Sequence, residues 1–246
     1  MPIAQRTGTV RALARFFPGA SELAREPVLR EYLADAARPY GVAVCEDELA
    51  AGRGHSYGEM GQGLLEEVVG EGEEVGVLIL AHAVPDVRPG RSTALYLSSV
   101  CPGRPHAFAV TEQGVSAAYT AIRLAATFLG SGESRNALIL IVEQAAQFYE
   151  MRTPVSMPKQ HAGVALWLEP GDATVYQHTC VTRAEALRLL PEAPLLLLGD
   201  GLAEVAGEQP MTGAWAAYAE QPGPAVIADY DPDIQTLSIC VLGTPA

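Results

Sequence analysis

Two apolar runs constrain the fold of this chain more than any other feature: Val75–Ala81 and Ala137–Val142, the second ending at Glu143. A strand that is apolar at successive positions leaves no face for water, so helices must cover both sides of its sheet. The surrounding segments supply such helices. Glu22–Ala37 has helical spacing, with Pro27 delaying or breaking its start, and Tyr57–Val69 reads as a helix closed by Gly70. Ser92-Thr93 caps a helix reaching about Val100, and Val115–Leu129 is a small-residue-rich helix stopped by Gly130-Ser131-Gly132. With short strands at Val42–Cys45 and Ala107–Thr111, the alternation reads as βαβ units, an α/β chain with a mostly parallel sheet.

From His161 onward the pattern changes. Gly163–Leu168 and Thr174–Val181 flank Glu169-Pro170-Gly171-Asp172, a strong turn signal, and read as a hairpin. Arg183–Leu190 is a short helix, Leu195–Leu198 a strand and Gly213–Ala219 a helix. Ala225–Tyr230 and Thr236–Leu242 form a second hairpin around Asp231-Pro232-Asp233. No low-complexity linker intervenes, so the 246 residues read as one compact body, with residues 1–170 complete and residues 171–246 thinner.

Composition narrows the function classes. Apolar residues make up 49% and charged residues 18% of the chain, the profile of a sequence that buries much of itself. A formal charge of −13 repels phosphate backbones and anionic bilayers, which excludes broad nucleic-acid or membrane-surface binding, and it disfavours docking an acidic carrier protein. No apolar run approaches the roughly 18 residues of a membrane span, and Met1–Arg6 leads into a mixed stretch, so the expected location is the cytoplasm. Cys45, Cys101, Cys180 and Cys240 are scattered without a CxxC pair, as expected of free thiols in a reducing compartment; no metal or other cofactor is expected.

The segment Thr111-Glu112-Gln113-Gly114-Val115-Ser116-Ala117-Ala118-Tyr119-Thr120-Ala121-Ile122-Arg123-Leu124-Ala125 resembles the nucleophile segment of the thiolase superfamily. Within it the match is to β-ketoacyl-ACP synthase III-like condensing enzymes, where a strand leads through a sharp turn bearing cysteine into a small-residue helix. Leu78–Ser92, Ser131–Glu143 and His161-Ala162-Gly163-Val164-Ala165 resemble further family segments in the same order. The resemblance runs from about Glu22 to Leu168 and is weak beyond. It implies a layered αβαβα fold, here with a complete N-terminal and a reduced C-terminal half, since family members are considerably longer.

The family chemistry uses a cysteine at a helix N-terminus, with a histidine and an asparagine from the C-terminal half to polarise the thioester and hold the enolate. Here the Ala-Ile-Arg-Leu-Ala register puts Val115 at the cysteine position, and a register set on Tyr119 puts Gly114 there. Neither takes an acyl group. Gln113 and Ser116 flank the position, and Ser116 has no activating base in the pattern. The expected Pro-His segment falls near Leu195–Glu204, no histidine follows His178, and Thr212-Gly213 marks the helix start without its asparagine.

The resemblance implies assembly through the N-terminal half, with Phe108, Val110 and Glu112 as interface candidates and Arg88 in a loop that reaches a neighbour's pocket. The expectation is a catalytically silent subunit that pairs with a longer active ketoacyl synthase III-like enzyme, or with itself, and meets acyl-CoA or acyl carrier protein only through that partner. The alternatives are a self-paired acyltransferase or thioesterase using Ser116, or Cys101 with His106, and a non-enzymatic acyl-binding module. The remaining chemistry-bearing residues have ordinary readings: Cys101 as packing, His106 as a strand-end residue and His82 as a hydrogen-bonded structural histidine. Lys159 and His161 read as surface groups, and His178 with Cys180 share a strand face without enough ligands for a metal.

Overall fold

The two apolar runs become neighbouring strands at the centre of a sheet. In a computed structural model of the chain, which describes residues 7–19, 26–51, 54–88, 92–146, 148–150, 156–204 and 207–243, the strands are β1 (Thr7–Phe16), β2 (Val77–Ala81), β3 (His106–Val110), β4 (Ala137–Glu143), β5 (Ala162–Thr179), β6 (Leu196–Leu198), β7 (Ala225–Asp231) and β8 (Thr236–Leu242). The helices are α1 (Pro27–Ala37), α2 (Glu46–Ala51), α3 (Tyr57–Val68), α4 (Thr93–Val100), α5 (Ser116–Ser131), α6 (Arg183–Arg188) and α7 (Gly213–Glu220).

Local chemistry accounts for the helix boundaries. Pro27 is the first residue of α1, and residues 22–25 of the expected longer helix lie outside the described residues. Ser56 and Glu59 form a capping box on α3, and the Ser92 hydroxyl accepts from Leu95 N at the head of α4. Gly132, in the left-handed region, ends α5. Val42–Cys45 is not a strand: among the described residues it contributes a single bridge, Val44 to Tyr149, flanked by bonds from Cys45 N to Phe148 O (2.9 Å) and from Glu150 N to Ala43 O (3.0 Å).

The expected hairpin at Glu169–Asp172 is one continuous strand instead. β5 runs 18 residues through Pro170-Gly171, pairing β4 antiparallel over Ala162–Leu168 and β8 antiparallel over Thr174–Thr179. Proline is tolerated because Pro170-Gly171-Asp172 fall in a register shift of the β1 ladder, between the pairs Gly8–Glu169 and Thr7–Ala173, where β5 passes from one sheet to the next. The first sheet has the order β3-β2-β4-β5-β1, with β2, β3 and β4 mutually parallel. The second, β6-β7-β8-β5, repeats the β2-β4-β5-β1 part of that order with the same parallel and antiparallel pairings. Among the described residues, nothing flanks β6 where β3 flanks β2.

Side-chain alternation sorts the core into layers. Leu78, Leu80, Leu138, Leu140 and Trp167 face α3 and α4, whereas Ile79, Ile139, Ile141 and Leu166 face a central cluster with α5 and α7. Ile227 and Cys240 close that cluster from the second sheet, whose outer face packs Val226, Ala228 and Ile239 on α6. Helices, sheet, helices, sheet, helix: the five layers of the expected αβαβα fold are present. Among the described residues no helix is long and apolar enough to cross a membrane.

Candidate functional site

α5 and α7 hold corresponding places, each preceding the strand next to its sheet's centre, and their N-termini face the opposite half. The turn into α5 is tight: Glu112 and Gly114 both have positive φ, 62° and 50°, and Val115 follows as the N-cap residue. The Val115 side chain packs on the central cluster. Gly114 is the residue that opens toward the second half. A Cβ placed on it would overlap Asp231 Oδ2 and lie 2.8 Å from Asp231 Cγ.

Asp231, the last residue of β7, is only 7% exposed. Its Oδ2 accepts from Val115 N (3.2 Å), while Oδ1 accepts from Asp233 N (3.0 Å) and Ile234 N (3.2 Å). The carboxylate therefore sits at the positive end of a 16-residue helix. Glu143, the last residue of β4, makes the reciprocal contact. Its Oε2 accepts from Met211 N (2.9 Å) and its Oε1 from Thr212 N (3.1 Å), from Gln209 Nε2 (3.0 Å) and from the Thr212 hydroxyl, at the head of α7. Burial raises the Glu143 pKa, and the bonds from Thr212 and Met211 oppose that rise.

The neighbouring positions are filled by polar contacts within the protein. Ser116 is buried and its hydroxyl accepts from Ser238 Oγ (3.1 Å). Gln113 accepts from the Thr120 hydroxyl (2.7 Å), which in turn accepts from Gln177 (3.2 Å). After β6, where a histidine segment is expected, the chain turns through Gly199-Asp200-Gly201 against Asp229. Asp229 Oδ1 accepts from Gly201 N (3.1 Å) and Tyr230 N (2.7 Å), and burial, with added repulsion from Asp200 and Asp231, pushes its pKa up to about 7. The centre thus gathers carboxyl groups, and among the described residues no nucleophile–base pair converges on it.

That shift carries a pH prediction. Asp229 has a folded pKa of about 7 against 3.8 for the free group, so the folded state holds its proton more tightly. The stability due to this proton is greatest below about pH 4 and declines as pH rises toward 7, a change of a few kcal/mol. Urea midpoints measured from pH 4 to 8 are expected to fall through that interval, and Asp229→Asn, whose amide oxygen can accept the same two bonds, is expected to flatten the fall.

The other expected residues are placed as follows. Cys101 is packed under α4, its thiol pushed up to about 11 by burial, while His106 stacks with Phe108 and Phe128 (both 5.8 Å). His82 hydrogen-bonds Val84 O through Nδ1 (2.7 Å), and burial lowers its pKa. Lys159 is exposed and paired with Glu208 (2.7 Å), but His161 is not a surface group: it is buried, and its Nδ1 accepts from Ala145 N (3.2 Å). The apolar strand β5 draws it in. No set of three or more His, Cys, Asp or Glu among the described residues is arranged for a metal.

Among the described residues β3 lies at the end of the sheet, paired only with β2. Phe108 is half-buried against Phe128, Glu112 is exposed, and Val110 turns its side chain into the central cluster while its carbonyl accepts from His82 N (3.2 Å) on the β2 side, so Val110 presents neither its side chain nor a free carbonyl at this edge. A groove of about 910 Å³ opens beside the edge, lined by Ala107, Phe108, His82, Val87, Phe148 and Arg88 among others. Arg88 hydrogen-bonds Asp86 through its backbone and lies 3.9 Å from Glu26 through its guanidinium; Pro89 lies outside the described residues.

No family model and no curated protein matches the sequence. Solved structures do. The acyltransferase ChlB3 superposes with a TM-score of 0.63 at 16% identity, covering 98% of this chain and 99% of that one. AbyA1, a tetronic acid condensing enzyme, gives 0.63 at 14%, covering 96% and 100%. A 3-oxoacyl-(acyl carrier protein) synthase from Burkholderia xenovorans gives 0.58 at 12%, covering 98% and 95%. The chain has the thiolase-type fold of ketoacyl synthase III-like condensing enzymes.

Proposed function

We propose that the chain is a non-catalytic subunit of the condensing-enzyme type, pairing through its β3 edge with a longer, active ketoacyl synthase III-like enzyme, or with a second copy of itself. It stabilises the partner or shapes its acyl pocket in secondary-metabolite or fatty-acyl synthesis. The observation that carries this reading is the overlap at Gly114, where Asp231 occupies the space a nucleophilic side chain needs. The edge supports it as well. An unpaired strand edge invites a partner, and Ser92–Thr111 contains no Asp or Glu in a chain of net charge −13, so the acids at this face are few, the exposed Glu112 among them.

Ser116 and Cys101 offer no competing chemistry, because one is held in a serine pair and the other is a packed, high-pKa thiol. The groove beside β3 favours a second reading, an acyl-binding module, since its size falls within the usual range of ligand pockets. Co-expression with a longer homologue distinguishes the readings. A subunit co-purifies with it in a fixed ratio, and Ala109→Asp on the exposed edge reduces recovery about tenfold or more. A stable monomer that ignores the homologue but binds acyl-CoA saturably, without turnover, favours the module. Condensation or thioester hydrolysis by the chain alone contradicts both.

A further inference from the structure

We propose that the groove beside β3 binds a neutral amphipathic molecule, an apolar body whose head donates a hydrogen bond as a hydroxyl or amide N–H, and that Gln144 and His82 read that head. The groove holds about 910 Å³, and its described lining includes none of residues 112–116, so it is a space apart from the turn into α5. Leu33 of α1, Leu80 of β2, Ala94 of α4, Phe108 of β3, Val87 and Phe148 give it apolar walls, of the kind that hold the body of a small ligand.

Two side chains among those walls present lone pairs. Gln144 is 1% exposed, and its Nε2 donates to His55 O (2.7 Å) and Asp86 Oδ1 (3.3 Å), two acceptors that fix which amide atom is the oxygen. Its Oε1 accepts from no group among the described residues. A buried amide oxygen so placed carries a cost that a ligand donor removes. His82 is tied through Nδ1 to Val84 O (2.7 Å); a carbonyl only accepts, so the proton is on Nδ1 and Nε2 carries a lone pair. Burial is the main influence on this ring and favours its neutral form. Asp86, also on the lining, already accepts from Tyr57 N, Arg88 N, Gln144 and the Thr93 hydroxyl, and its charge disfavours a carboxylate head. The Arg88 guanidinium lies 3.9 Å from Glu26. An ester or thioester head, with acceptors only, would set lone pair against lone pair.

A series of heads on one tail tests this. Octanamide and octan-1-ol are expected to bind the purified chain at one site, with methyl octanoate and octanoate about tenfold weaker by isothermal titration at pH 8. Gln144→Met keeps the volume and removes the oxygen, and the preference for octanamide over methyl octanoate is expected to shrink to about twofold. Ala36→Trp, filling the groove from α1, is expected to weaken every ligand about tenfold.

Equal affinities for amide and ester, tightest binding by octanoate, no binding of any head, a full preference kept in Gln144→Met, or wild-type binding by Ala36→Trp would each overturn the inference. If Gln144→Met does not fold, the order of heads on the wild type and Ala36→Trp carry the test. The inference does not rest on the pairing proposed above: a chain that co-purifies with a homologue is titrated as the complex. Methyl octanoate binding as tightly as octanamide rejects the donor head and leaves the acyl-binding reading of the groove standing.

Discussion

Replacing Gly114 by alanine is expected to lower the thermal midpoint by about 10 °C, the cost of two effects at one residue. Its φ of 50° lies in the left-handed region, where a non-glycine residue costs about 1–2 kcal/mol. The new Cβ also overlaps the Asp231 carboxylate, and forced overpacking in a buried site costs about 1–3 kcal/mol. Together these give about 3–4 kcal/mol, which at roughly 2–4 °C per kcal/mol for a chain of this size yields the stated drop. Val115→Ala serves as the control. It removes part of a half-buried side chain on the central cluster, and a modest loss of about 1 kcal/mol is expected. Thermal melts that rank the two variants the other way would place the critical position at residue 115.

The ranking of these two variants decides what the sequence leaves open. The helical pattern of α5 and its small residues are legible because they are local, but two registers fit the turn equally, one placing Val115 and one Gly114 at its head. Only backbone direction separates them: Val115 turns into the core and Gly114 faces the second half. The buried strands β2 and β4 are equally legible, because a short, continuously apolar run fits a strand covered on both faces better than any other element. Pro170-Gly171, by contrast, carries the composition of a turn and lies within an 18-residue strand, since tertiary pairing on either side holds it extended. The carboxylates of Asp231 and Glu143 are not legible as site residues. Each acts on a helix 116 or 68 positions away, with no local pattern to announce it. The available signal is subtler: each is an acid ending an apolar strand, at equivalent points of a duplicated topology.

Glu143 is the other residue with a large expected effect, because four donors converge on it: Gln209 Nε2, Met211 N, Thr212 N and the Thr212 hydroxyl. Glu143→Leu keeps the volume apolar and deletes every acceptor, stranding buried donors at about 1–3 kcal/mol each where no water reaches them. With partial relaxation the loss is expected to be about 3–5 kcal/mol, a fall in the melting midpoint of about 10–15 °C. Glu143→Gln should cost much less, about 1–2 kcal/mol, because one oxygen still serves the Thr212 and Gln209 donors while the amide nitrogen opposes Met211 N. Burial raises the Glu143 pKa, so the ionised form is the one the fold tolerates less. The gap between wild type and Glu143→Gln should therefore change with pH, with the wild type's advantage greatest on the acid side and shrinking as Glu143 ionises. If Leu and Gln at this position melt together, the acceptor geometry contributes nothing, and the tie between the end of β4 and the head of α7 is not what holds the two halves in register.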